Sequence, residues 1–569
     1  MRKLYLPLVF LIAALSMLAT ASLSRQVFEH LPHLEDELTY LFQARMLARG
    51  DVFIPSPYPP DSYWQPFIID CDQEMENLYN IACAGKRFGK YPPGFPLLLA
   101  LGVLINNTWI INVFFTGLNV VLIYLVGRFI YNEHAAILSA ALLAISPIAL
   151  LLGSTLMGHT SALSFTLLFT WAYIRAQYAT KPLGWAALSG VALGMVFNIR
   201  PYAAAGISLP FIVYSLWQML SSIRSANLIK KALPLLVIAL AALCTSSIFF
   251  INNYLLTGKT TTDLYRLIWD YDRIGFGANH GPLPEGHSLR QGWIHTKRDL
   301  RCYSRDLFGW ALPTQAQDAN PSGKPEAARC FPRYTGLSWL LLPFSILLFH
   351  EKSHHIDKRP PDTTQVTSQL ANPGNAPHKA CPPKERAKWT ALLLAQGVCL
   401  ITLHLAYWTG AEVYSARYYF EATGSFTLLT GAAASRLITT SSNVKVRSMA
   451  FVLLALLFSL PLLGYTQNRF AGLHGFGCIT SQQIDTIKAL RKTPDTPVLV
   501  IVNGRQNNCP GNTSPWREYG ALMALTDPYL ESEIIAAAAP DESHYSYLLT
   551  HSGKRQIILM INGKFISLQ

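Results

Sequence analysis

Residues 109–131 read WIINVFFTGLNVVLIYLVGRFIY, and the only charge in that stretch, Arg128, sits near its end. A helix needs roughly 20 apolar residues to cross a hydrocarbon core of about 30 Å, where no water satisfies an open backbone group. This stretch therefore reads as a membrane span. On the same length criterion the chain holds about eleven comparable segments. They lie near 5–23, 109–131, 135–153, 160–177, 183–199, 202–219, 232–251, 336–350, 389–408, 419–435 and 448–466. Of the 569 residues, 51% are hydrophobic and 14% charged, and that balance excludes an ordinary soluble surface. The expected fold class is mainly α: a polytopic transmembrane helical protein with a small C-terminal α/β domain. Residues 96–105 are apolar but too short to span, and read as an interfacial or re-entrant helix.

Positive charge beside span ends is retained in the cytoplasm. Arg2, Lys3, Arg128, Arg175, Lys181, Lys230, Lys231, Lys445 and Arg447 all fall on one side of this arrangement, as does the stretch 351–388. The amino terminus is expected inside and, with an odd number of spans, the carboxy terminus outside. The net charge of +13 is then a topology signal, not a nucleic-acid footprint. Three sizeable segments face outward, 24–94, 252–335 and 467–569, whereas 351–388 is proline-rich and reads as a cytoplasmic linker. The first segment, with MRK before it and Ala19-Thr20-Ala21 near its end, also fits a cleavable signal peptide.

Six of the nine cysteines fall in the outer segments, two in each: Cys71 with Cys83, Cys302 with Cys330, and Cys478 with Cys509. Even numbers per exposed segment suggest disulfides in an oxidising compartment, although spacing cannot establish connectivity. Cys244, Cys381 and Cys399 are expected to be free. In the last segment, PVLVIVN (497–503) and QIILMIN (556–562) read as strands, with helical patterns near 481–491 and 515–525. That alternation describes a small α/β domain with a partly parallel sheet over 467–569. It fits a lid or acceptor-docking module and a purely structural role equally well.

Chemistry is sought on the outer face. HLEDELTYLFQARMLARG (33–50) opens with Glu35, Asp36 and Glu37, which can be read as the acidic first turn of a surface helix ended by Gly50, or as catalytic carboxylates. Leu34, Leu38, Leu41 and Phe42 would give that helix a stripe for lying on the membrane. GKRFGKYPPGFPLLLALG (85–102) holds Lys90 and Tyr91 against a stiff Pro-Pro-Gly turn at the membrane rim, where a lysine can meet a lipid phosphate or simply snorkel. Arg200 in FNIRPYAAA (197–205) and Arg417 in YSARYYFEATG (414–424), the latter beside Tyr418, stand at outer span ends. Charge at such depth marks a function or a structural ion pair, for example Arg417 with Glu421 at helical spacing, and arginine suits phosphate through its planar fork. His159 in STLMGHTSA (154–162) is a packing residue or a member of a polar cavity.

The acidic pair after the first span, the lysine before Pro-Pro-Gly, the Arg-Pro between middle spans and the late RYYFEA motif together resemble the polytopic C-type (GT-C) glycosyltransferases. Within that group, the branch of dolichyl-phosphate-mannose protein mannosyltransferases and the lipid A aminoarabinose transferase is the most similar. The resemblance covers 1–466, the transmembrane glycosyltransferase module. It implies transfer of a sugar from a polyprenyl-phosphate donor to an acceptor outside the cytoplasmic (inner) membrane. It makes Asp36 the catalytic base with Glu37 beside it, and Lys90, Arg200 and Arg417 the cations on the donor phosphate. Tyr91, His159 and Tyr418 would be adjacent to the site. No segment is similar to the β-trefoil insertion of the protein mannosyltransferases, so an envelope lipid or glycan is expected as acceptor in preference to protein.

No cofactor is expected. The alternating carboxylates of IIDCDQEMEN (68–77) could hold a divalent cation, but read better as a solvated acidic loop. Two other readings stay open: a transporter or flippase for a lipid-linked sugar, which would place polar residues deep along the spans, and a non-catalytic envelope scaffold.

Overall fold

The computed structural model describes residues 2–221, 228–313, 334–345, 381, 383–411, 413–440, 444–460, 464–503 and 515–568. Helix α1 (Arg2–Gln26) packs on α5 (Ile110–Ile130) and α6 (Glu133–Ile145). The approach of α1 to α5 is close enough that a Cβ on Gly117 would lie 2.5 Å from Met17 Sδ. Helices α8 (His159–Tyr178), α9 (Pro182–Ile199), α10 (Pro201–Leu220) and α11 (Leu228–Thr257) follow, with α9 against both α8 and α11. Helix α13 (Pro383–Leu403) packs on α10 and on α14 (Ala422–Thr440), and α15 (Val444–Leu460) lies beside α14. Among the described residues, six helices are long and apolar enough to cross a membrane, and α6 with α7 (Pro147–Gly153), bent by 59°, would be a seventh. This is a multi-pass membrane protein. Helices α8 and α14 coincide with the expected spans at 160–177 and 419–435 but carry more polar residues, because they are buried among other helices instead of facing lipid.

Three expectations are corrected. The apolar stretch at 336–350 does not form a span over its described part: Tyr334–Gly336 is a strand (β5) paired with Ala311–Pro313 (β4), and residues 337–345 form turns and a short 3-10 helix. Residues 346–380 lie outside the described residues. The proposed linker is helical at its far end, where Pro383–Lys388 opens α13.

Helix α2 (Glu35–Ala48) does not lie on a membrane surface either. Leu34, Tyr40 and Ala44 pack in the main helical core, Leu38 packs into the C-terminal domain, and Phe42 and Met46 join Ile54 and Ile68 of a small sheet. Apolar residues on every side are what a helix enclosed by three structures requires. That sheet, in the order β1 (Ile54–Pro55), β3 (Lys86–Gly89), β2 (Ile68–Asp70), is closed over α3 (Gln73–Tyr79) by the Cys71–Cys83 disulfide. Cys302 and Cys478 are also disulfide-bonded, while Cys330 and Cys509 lie outside the described residues. Cys244, Cys381 and Cys399 are free thiols.

The C-terminal domain is a four-stranded sheet in the order β7 (Ile534–Ala539), β6 (Val498–Asn503), β8 (Gln556–Ile561), β9 (Lys564–Ser567), with β6 parallel to both neighbours and β9 antiparallel. Phe470, Leu473 and Phe476 still belong to the main core, and the domain's own core begins at Ile479. It clamps α2 directly: Arg45 donates to the carbonyls of Ala524 (2.7 Å) and Thr526 (3.1 Å), and the His33 ring bonds the Ile479 carbonyl at 3.0 Å.

Candidate active site

The start of α8, the α9–α10 junction and the ends of α11 and α13 meet the loops around Lys90, Asp272 and Arg417 at a cavity of about 430 Å³. Asp36, Lys90, Tyr91, His159, Arg200, Arg417 and Tyr418 all line it. Glu37, which the sequence paired with Asp36, does not.

The two adjacent carboxylates are separated by the 100° turn between successive helical residues. Asp36 faces the cavity, where Tyr91 Oη donates to Oδ1 at 2.5 Å and Arg417 Nη1 lies 3.3 Å from Oδ2. Burial alone would raise the Asp36 carboxyl, but the Arg417 charge and the Tyr91 hydroxyl outweigh it and hold the group below its ordinary value. Glu37 faces inward and is 1% exposed. It accepts from Leu156 N (2.8 Å), His33 N (3.3 Å) and Tyr414 Oη (3.1 Å). Burial pushes its carboxyl up to about 7 against those three donors. Glu37 therefore ties α2 to the α7–α8 hairpin and to the segment that carries Arg417.

Lys90 follows β3 directly and is only 4% exposed. Its ammonium sits 3.6 Å from the Phe67 ring centroid, 4.8 Å from Tyr265 and 5.0 Å from Trp269, with Asp272 Oδ2 at 3.9 Å. Burial lowers its pKa to about 8, partly opposed by Asp272. The turn after it is fixed by contact: a Cβ on Gly94 would lie 2.6 Å from the Asn198 carbonyl oxygen, so only glycine lets α4 (Gly94–Leu104) rest on the end of α9. That junction brings Lys90 to the cavity that Arg200 also lines.

Arg200 Nη1 is 3.0 Å from Glu421 Oε1 and 3.2 Å from the Arg417 carbonyl. The pairing considered for Arg417 with Glu421 is thus made by Arg200, and Arg417 turns to Asp36. Each of the three cations has its own carboxylate: Asp272, Glu421 and Asp36. His159 is 4% exposed, and neither ring nitrogen finds a hydrogen-bond partner among the described residues. A buried imidazole with both nitrogens unsatisfied at a cavity wall suits a polar ligand.

Asp272, Tyr265, Trp269 and His404 line the cavity and were not singled out from sequence. Tyr407 and Trp408 hold Asp272 by bonds of 3.1 and 2.8 Å. The aromatic-acidic run YRLIWDYD (265–272), lying in an outer segment, was the available signal. In the 68–77 loop, Asp70 pairs with Arg87 at 3.5 Å, Asp72 caps α3 through Met75 N at 2.7 Å, and Glu76 accepts from Cys83 N and Ala84 N. Those carboxylates have local structural work. Among the described residues, no group of three or more His, Cys, Asp or Glu could hold a metal.

Residues 90–250 match the family model described as dolichyl-phosphate-mannose-protein mannosyltransferase. The match includes Lys90, His159 and Arg200, and it agrees with the resemblance read from the motifs. It does not extend to Asp36, to Arg417 or to the C-terminal domain. No curated protein matches the chain. Among solved structures, ArnT from Cupriavidus metallidurans bound to undecaprenyl phosphate is similar at 12% identity, covering 97% of this chain and 92% of that one, with a TM-score of 0.45. The oligosaccharyltransferase AglB from Archaeoglobus fulgidus, in complex with an inhibitory peptide and a dolichol-phosphate, is also similar at 12% identity. It covers 97% of this chain and 69% of that one, with a TM-score of 0.47.

Proposed function

We propose that this chain is a membrane glycosyltransferase that moves a sugar from a polyprenyl-phosphate donor to an envelope lipid or glycan, at the non-cytoplasmic side of the inner membrane. The observation that carries the reading is the meeting of Asp36, Lys90, Arg200 and Arg417, drawn from four distant segments, around one cavity at the helix ends. The family-model match over 90–250 supports it. The opposite end of the bundle carries Arg128, Arg175 and Lys388, which supports placing the cavity outside.

In this reading the acceptor hydroxyl attacks the anomeric carbon as the bond from that carbon to the phosphate oxygen breaks. The hydroxyl proton passes to Asp36, and the electron pair leaves with the lipid phosphate. Lys90, Arg200 and Arg417 stabilise the charge that grows on the phosphate in a water-poor cavity. Arg417 connects the two halves of the reaction. While it pairs with Asp36 it keeps that carboxylate a weak base, and a donor phosphate that draws its guanidinium away raises the basicity of Asp36. His159, unsatisfied in the wall, would donate to the phosphate or to the sugar.

The test uses the purified protein, a polyprenyl-phosphate-linked sugar and envelope extract as acceptor. Asp36→Asn is expected to lower transfer by about 10²–10⁴-fold, the usual weight of a general base, while retaining the donor lipid. Undiminished transfer in folded Asp36→Asn would falsify the assignment.

A further inference from the structure

A second cavity, of about 940 Å³, opens beside the first and is lined by β2, the loop 56–66, the segment 267–269 and Trp516 of the C-terminal domain. Its charge differs in kind. Glu35, Asp61, Asp70 and Asp72 line it with no lysine, arginine or histidine among the described residues, although Asp70 is paired with Arg87 and Glu35 lies 3.6 Å from Arg517, whereas the first cavity sets Lys90, Arg200 and Arg417 against Asp36, Asp263 and Asp272. A phosphate finds cations in the wall of the first and only carboxylates among the charged groups of the second.

The walls of the second cavity are aromatic. Trp64 is 43% exposed, and Tyr58, edge-to-face with Tyr547 at 5.1 Å, is 72% exposed, so both large aromatic side chains are open to solvent. Phe67 and Trp269, in edge-to-face contact at 5.5 Å, line both cavities and form the partition between them. The Lys90 ammonium lies over the Phe67 ring. Consecutive residues of α2 also serve the two sides, Glu35 lining the second cavity and Asp36 the first. Glu35 is aimed by the Trp516 indole, which donates to Oε1 at 2.9 Å.

We infer that this second cavity is the acceptor site, and that its occupant is a neutral or amino-bearing carbohydrate, not a phosphorylated lipid headgroup. Exposed ring faces stack on the apolar faces of sugar rings, and carboxylates accept hydrogen bonds from hydroxyl and ammonium groups. A glycan docked there needs to pass only the Phe67–Trp269 partition for its hydroxyl to reach Asp36. The inference rests on the transferase reading for the identity of the first cavity, but the binding it predicts does not depend on transfer.

The test takes oligosaccharides released from the envelope of cells lacking the protein, where an unmodified acceptor accumulates, and separates them into neutral, amino-bearing and phosphate-bearing pools. Each pool is titrated against the full-length protein in detergent, with Trp64→Ala and Tyr58→Ala alongside. Saturable binding of the neutral or amino pool is expected, weakened about three- to tenfold in each variant, the weight of one aromatic stacking contact. Polyprenyl phosphate retention, read by native mass spectrometry on the same samples, is expected to stay at the wild-type level. Binding of the phosphate-bearing pool alone, of no pool, or equally by wild type and both variants overturns the inference. Glycan binding by a protein that holds no polyprenyl phosphate would instead count against the transferase reading and leave the acceptor site standing.

Discussion

At the scale of single residues, the site is built from charges that neutralise one another until a substrate intervenes. Lys90 gives the most direct pH signature. Its pKa of about 8 means that the unliganded protein loses this cation as pH rises through that value. The kcat/KM for donor is therefore expected to fall above about pH 8, and Lys90→Arg, protonated throughout, should abolish that limb. Glu37 makes the opposite kind of prediction, about stability. Folding raises its carboxyl from 4.5 to about 7, so the folded chain binds a proton that the unfolded chain has released between those values. Stability should decline as pH climbs from about 4.5 to about 7, where the unfolded state binds fewer protons than the folded one, and level off beyond, where neither holds this proton. Thermal unfolding of Glu37→Gln across that range should show a flatter profile; a slope identical to wild type would remove Glu37 as its source.

At the scale of elements, the turn between β3 and α4 is the most constrained joint at the site. Gly94→Ala places a methyl group 2.6 Å from the Asn198 carbonyl, and backbone cannot yield as a flexible side chain can. A loss of about 1–3 kcal/mol is expected from such overpacking, visible as a lowered unfolding temperature, together with a raised donor KM as Lys90 and Arg200 move apart. An unchanged KM would show that α4 shifts without disturbing the cations. The elements also show what was legible in the chain. The Lys90-Tyr91-Pro-Pro-Gly turn and the short helix after it were readable because proline and glycine restrict the backbone locally. Strand β7 was missed: IIAAAA carries alanines that favour helix by propensity, yet it pairs with β6 because both of its faces are covered. The crossing expected at 336–350 failed in its described part for a related reason. Apolarity there serves packing, with Trp339 against Tyr303 and Phe426, and composition alone does not say what an apolar residue is packed against.

For the whole molecule, the candidate site is lined by the membrane helices and outer loops, while the C-terminal domain holds α2, which carries Asp36, from outside it. Arg200 and Arg417 could be picked out because charge at a span end is costly, Lys90 because of the stiff Pro-Pro-Gly turn after it, and Asp36 as one of an acidic pair in an outer segment. Their partners could not, since which carboxylate meets which cation depends on long-range geometry: Glu421 with Arg200, Asp272 with Lys90. The clamp on α2 predicts that a chain ending at 476 will not retain activity. Such a chain exposes Leu38 and strips Arg45, His33 and Glu35 of their partners. Removing residues 477–569 is expected to leave membrane insertion intact, abolish transfer and make α2 readily cleaved by protease; a truncated protein that still transfers sugar would show that the membrane helices alone hold Asp36 in place.

Glu35, Asp36 and Glu37 occupy one turn of one helix and look in three directions: to the second cavity, to the cavity of Lys90, Arg200 and Arg417, and into the protein core. The phase of α2 is consequently as important as its composition. An alanine inserted between Leu34 and Glu35 keeps every acid but rotates the helix that follows by about 100° relative to the chain before it. The segment should therefore accept conservative point changes in a deep mutational scan far better than any single-residue insertion or deletion.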